Sequence, residues 1–91
     1  MEIASIRAQI DEVDGQLAKL FEKRINLVTD LAALKTASVK PILDEDREKK
    51  VLENVTSQCS KEIEGEITQL YIEIMRLSRQ YQARLAGENN G

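Results

Sequence analysis

Histidine is absent from this 91-residue chain, and cysteine and proline occur once each. No His and a single thiol speak against a transition-metal site, and they leave no Ser-His or Cys-His pair for nucleophilic catalysis. Cys59 has no partner for an internal disulfide, and its neighbours Gln58 and Ser60 place it in a surface connection. Glycine is scarce at four residues and aromatics make up 3%. No apolar run approaches the roughly 20 residues that span a bilayer. A basic excess is also missing: the net charge is −3, the wrong sign for a nucleic-acid surface. The N-terminus is amphipathic, without the basic start and apolar stretch of a secretory signal, so a cytoplasmic location is expected.

What remains is Leu, Ile, Val, Ala, Glu, Lys and Gln, a helix-forming composition. The length allows one domain with a modest core, which makes a partner subunit the first expectation. Apolar residues fall at Ile3, Ile6, Ile10, Val13, Leu17 and Leu20, then at Leu27, Leu31 and Leu34. Steps of three and four over this length predict one helix from about Ile3 to Thr36, some 50 Å long. A compact domain of this size has a radius of gyration near 12 Å, so the rod would overhang a monomer. A second copy of the chain is the simplest cover for its stripe.

Residues 37–43, with Pro41, read as a loop. Asp44 looks like an N-cap, followed by Glu45, Asp46 and Glu48 where a helix dipole favours anions. This second helix is short and ends near Ser57. A third runs from about Lys61 to Leu85 on the stripe Ile63, Ile67, Leu70, Ile74, Leu77 and Tyr81. The expected organisation is one all-α domain over residues 1–86 and a disordered polar tail over 87–91.

Polar residues interrupt these stripes. Arg24 stands where the first helix calls for an apolar side chain, and a cation in a seam is costly unless paired. It could snorkel to the surface or meet a buried carboxylate. Lys35, eleven residues on, returns to within about 20° of Arg24. Glu48 breaks the stripe of the second helix, and Ser78 and Gln82 form an i, i+4 pair on the third. Singly, each could be a boundary residue. Together, two cations, a carboxylate, a hydroxyl and an amide have the makeup of a pocket for a small polyanion. Arg7 lies about 25 Å along the axis from Arg24, too far to grip the same molecule from one straight helix. It is either a solvated helix charge or a group reaching a partner's site. An antiparallel dimer with its two-fold axis near Leu17 would carry the partner's Arg7 toward the Arg24 to Lys35 stretch and make two equal sites.

The string Ile6-Arg7-x-x-Ile10-Asp11-x-x-Asp14-x-x-Leu17, then Lys23-Arg24, Lys35, Pro41 and Asp44-x-x-Arg47-Glu48, resembles the all-helical chorismate mutases of the AroQ class. The run Leu70-Tyr71-Ile72-Glu73-Ile74-Met75-Arg76-Leu77-Ser78-Arg79-x-x-Gln82 is similar to their last helix, and the likeness covers about residues 3 to 84. It implies three helices per chain in an intertwined antiparallel homodimer with shared sites, converting chorismate to prephenate on the route to phenylalanine and tyrosine. No cofactor and no metal would take part, and neither nucleic acid nor membrane would be a partner. By the same resemblance Arg7 reaches in from the partner subunit and Arg24 holds a substrate carboxylate from its own chain. Lys35 and Gln82 donate to the ether oxygen, and Glu48 accepts from the ring hydroxyl. Asp44, Arg47 and Ser78 complete the wall. Gly15 and Thr29 within the first helix, and Leu43 and Glu45 beside Asp44, depart from the usual pattern without removing a functional group.

Such a rearrangement needs no nucleophile and no proton transfer. It needs a folded substrate held in near-attack geometry and donors for the negative charge growing on the ether oxygen. Two other readings stay open on the sequence alone. One is an isochorismate pyruvate lyase with a similar pocket. The other is a non-catalytic helical dimerisation or regulatory module, since fold does not dictate function.

Overall fold

The structure is a computed structural model that describes residues 2–34 and 44–90, the side chains of 88–90 excepted. Lys35, Thr36 and the expected loop with Pro41 lie outside the described residues. Every regular element among the described residues is helical: α1 (Ile3–Leu34), α2 (Glu45–Thr56) and α3 (Glu64–Asn90), with a 3-10 turn at Lys61–Ile63 before α3. Contacts divide the chain into two compact units, Met1–Ala33 and Leu34–Gly91.

The first unit is α1. Its 32 residues span about 48 Å at 1.5 Å per residue. No proline interrupts it, and Gly15 sits in it without a positive φ. Side chains that could compete with the backbone turn back onto it instead. Thr29 Oγ1 donates to the Ile25 carbonyl at 2.8 Å, and Gln9 Nε2 to that of Ser5 at 3.4 Å. None of its residues is buried. The stripe of Ile3, Ile6, Ile10, Val13, Leu17, Leu20, Leu27, Leu31 and Leu34 stands exposed, Leu17 and Leu20 by more than half.

In the second unit, Asp44 caps α2 as its sequence context predicts. Its backbone is extended, and its Oδ1 accepts from the Arg47 N–H at 3.1 Å. Glu45, Asp46 and Glu48 fill the first turn, facing the positive end of the dipole. The far end of α2 is closed by its own side chains. Thr56 Oγ1 donates to the Leu52 carbonyl at 2.7 Å, Ser57 Oγ to that of Asn54 at 2.7 Å, and Cys59 Sγ to that of Thr56 at 3.4 Å. The bonds to Asn54 and Thr56 satisfy carbonyls that a helix terminus otherwise leaves unpaired.

After this tight connection α3 runs back along α2. The two helices pack together, and Val51, Leu52 and Val55 of α2 and Ile67, Tyr71 and Ile74 of α3 are half-buried, while Met75 of α3 is the buried apolar residue among those described. Two details differ from the sequence expectation. The third helix opens as a 3-10 turn, and its α-helical part extends five residues past Leu85 to Asn90, so the backbone of 87–90 is helical. Nothing there stops it: Ala86 and Glu88 are good formers, and Gly87 only weakens propagation. The buried face is also rotated from the expected stripe. Of the expected stripe Ile67, Ile74 and Tyr81 are half-buried but Ile63, Leu70 and Leu77 are exposed, while Met75 and Ser78 are the most buried residues of the helix. A longer α3 carries two apolar faces, and α2 covers one of them.

Candidate functional site

The N-terminal turn of α2 and the later part of α3 bring five sequence candidates into one unit. Asp44, Arg47 and Glu48 come from the first, Ser78 and Gln82 from the second. The link between the helices is an ion pair. Arg79 Nη1 donates to Glu48 Oε2, and both side chains keep less than a third of their exposure. Glu48 is fixed from behind as well, because its backbone N–H donates to the Asp44 carbonyl at 3.0 Å. The N-cap that starts α2 therefore also sets the direction from which the Glu48 carboxylate leaves the helix.

Ser78 is 5% exposed, deeper than the boundary position its isolated sequence context suggests. Burial of its hydroxyl is tolerated because Oγ donates to the Ile74 carbonyl at 2.9 Å, a back-bond within the helix. Gln82, one turn on, is half-buried. Two residues on, the Arg84 guanidinium lies over the Tyr81 ring at 4.9 Å from its centroid.

A second ion pair on α3 has a different character. Arg76 Nε donates to Glu73 Oε2 at 2.9 Å, and its Nη2 pairs with Oε1, so the fork is bidentate within one turn. This hydrogen bonding holds the Glu73 carboxyl below its ordinary value and raises the Arg76 guanidinium. Both side chains are about half exposed, so the pair is a surface feature.

Arg7 and Arg24 lie on α1, in the other unit. Arg7 is exposed and Arg24 is half-buried. Lys35 falls outside the described residues. Among the described residues no group of three or more His, Cys, Asp or Glu is arranged to hold a metal ion, and no helix is long and apolar enough to cross a membrane. Arg79 is the residue that reading the sequence passed over. It precedes Gln82 by three positions and so shares a helix face with it, but its partner Glu48 comes from another helix.

Comparison with known proteins places these residues in a family context. The family described as Chorismate mutase type II matches residues 6–83. The chain is 35% identical over 60 residues to a protein of Methanocaldococcus jannaschii named chorismate mutase, an alignment covering 66% of this chain and 61% of that protein. It is likewise 35% identical over 60 residues to the bifunctional chorismate mutase/prephenate dehydratase of Buchnera aphidicola subsp. Schizaphis graminum, covering 66% of this chain and 16% of that one. The aligned part is therefore less than two thirds of the length of either relative. No solved structure matches significantly.

Proposed function

The chain belongs to the chorismate mutase type II family, and from that premise we propose that it rearranges chorismate to prephenate in the biosynthesis of phenylalanine and tyrosine. The observation that carries the reading is the meeting of the first turn of α2 with the Ser78 to Gln82 stretch of α3. The Glu48–Arg79 pair ties the turn that bears Glu48 to the stretch of α3 that bears Ser78 and Gln82, within one unit.

The chemistry is a [3,3] shift within one molecule. The ether C–O bond breaks, a C–C bond forms, and no atom enters or leaves. Rate enhancement rests on geometry and charge. Arg24 of one chain and Arg7 of a partner copy take the two carboxylates, where planar guanidinium forks fix the fold of the enolpyruvyl arm over the ring. Glu48 accepts from the ring hydroxyl, with Asp44, Arg47 and Ser78 lining the wall around it. C–O cleavage ahead of C–C formation leaves negative charge on the ether oxygen. Lys35 and Gln82 donate there, and interactions made only in the transition state lower the barrier. A millionfold acceleration requires about 8 kcal/mol. One strong preorganised donor supplies about 3 to 4 kcal/mol of it.

The active unit in this reading is an intertwined antiparallel homodimer. Its support is α1, whose apolar row is uncovered along about 48 Å while the described residues bury a single apolar side chain, Met75. A second copy of the row is self-complementary about a two-fold axis near Leu17, and that axis makes two equal sites. The cytoplasm is the proposed location.

The test is direct. Purified protein is mixed with chorismate, the substrate is followed and the product identified, for wild type and for Lys35→Ala. Prephenate from wild type, with a loss of several orders of magnitude in the variant, is the expected result. A folded dimer that leaves chorismate untouched would overturn the reading, and isochorismate would be the next compound offered.

A further inference from the structure

Glu48 carries a role in this reading that depends on direction. A carboxylate at the end of three rotatable bonds accepts well from a ring hydroxyl only if one oxygen points at it. The side chain is not left to find that direction alone. Arg79, on the other helix of the unit, donates to Oε2. A carboxylate has two acceptor oxygens, so Oε1 can still take a further donor.

Two features separate this pair from the Glu73–Arg76 pair. Glu73 and Arg76 sit one turn apart on one helix at about half exposure, whereas Glu48 and Arg79 are 31 residues apart with side chains at 25% and 29%. The first pair decorates a surface. The second fixes a half-buried carboxylate relative to the helix that bears Ser78 and Gln82. Partial withdrawal from water makes the attraction stronger than at an open surface, and the guanidinium is a directional donor. We propose that Arg79 is a positioning residue for the mutase reaction: it holds Oε2 of Glu48 so that Oε1 is presented to the ring hydroxyl of the substrate. This rests on the functional reading above. Arg79 itself touches no substrate in the proposal.

A ring hydroxyl is present in ground state and transition state alike, so misdirecting its acceptor weakens both. The loss should therefore appear chiefly in KM, with a smaller change in kcat. The experiment is a double-substitution cycle on kcat/KM with chorismate. Arg79→Met keeps the apolar stem and removes the fork, Arg79→Lys restores a charge, and Glu48→Ala leaves nothing to position. Urea midpoints are measured in parallel on the same proteins. We expect Arg79→Met to lower kcat/KM about tenfold, Arg79→Lys to recover part of it, and Arg79→Met to cost less than threefold when added to Glu48→Ala. Equal fold losses in both backgrounds would overturn the proposal, as would a loss that follows the urea midpoint and is not relieved by Lys. Wild-type protein that does not consume chorismate would instead overturn the functional reading, an outcome the cycle cannot imitate.

Discussion

Glu48 and Arg79, on helices that run back along one another, are joined by an ion pair across the α2–α3 seam. The pair ties the start of α2 to the later part of α3. A half-buried pair gives up part of its attraction to the cost of leaving water, so its net contribution to stability is small. Its weight lies in geometry, because it brings the two stretches that carry most of the candidate residues of this unit into a fixed relation.

Gln82 offers a test of where the ether oxygen lies. An amide donates a hydrogen bond at every working pH, whereas a Glu at the same position donates only when protonated, below an ordinary value near 4.3. Wild-type turnover should therefore persist above pH 6. Gln82→Glu should lose most activity at pH 7.5 and recover part of it at pH 5. Steady-state rates at the two pH values decide the matter, and equal losses at both would remove Gln82 from the ether oxygen.

The proposed sharing of sites between two copies makes a prediction about mixtures. Arg7→Ala and Lys35→Ala homodimers should each be nearly inactive, since every site in each lacks one group. A heterodimer of the two has one site missing both groups and one missing neither. Unfolding the two variants together and refolding them as a mixture should restore up to a quarter of wild-type activity, half the dimers being mixed with one working site each. No recovery, with mixed dimers demonstrated by mass, would mean that Arg7 serves its own chain or none.

Gly15 gives a check on α1 itself. A Cβ built at this position meets nothing within 4 Å, and the residue lies on the side of the helix away from Val13 and Leu17. Gly15→Ala should raise stability by about 0.5 to 1 kcal/mol, read from the urea midpoint at constant slope. A fall in stability would show that the assembled protein covers this face too.

Much of this fold was legible in the sequence because its helices announce themselves locally. The three-four alternation gave α1, and Asp44 with its acidic first turn gave the start of α2 to the residue. The direction in which α3 faces was harder. Periodicity pointed to Ile63, Ile67, Leu70, Ile74, Leu77 and Tyr81, of which Ile67, Ile74 and Tyr81 are half-buried, but which apolar face meets α2 depends on contacts between helices, and these bury Met75 and Ser78 most deeply. The site divides in the same way. Asp44, Glu48, Ser78 and Gln82 stood out as polar groups at marked positions. Arg79 did not, because an arginine on a charged helix acquires meaning only once its partner from another helix is placed beside it. The end of α3 was missed for a simpler reason: propensity falls off toward Gly87 without any residue that forbids the next turn.

The exposed row from Ile3 to Leu34 has an evolutionary side. Where two copies of such a row cover each other about a two-fold axis, one codon change alters both faces of the same seam. Its benefit or harm is then registered twice in every assembled molecule, and for a residue near the axis, such as Leu17, the two altered side chains also meet each other. A lineage cannot repair one face by adjusting the opposite one independently, because both are written by the same gene. Selection along α1 would thus act on a residue's fit to its own image.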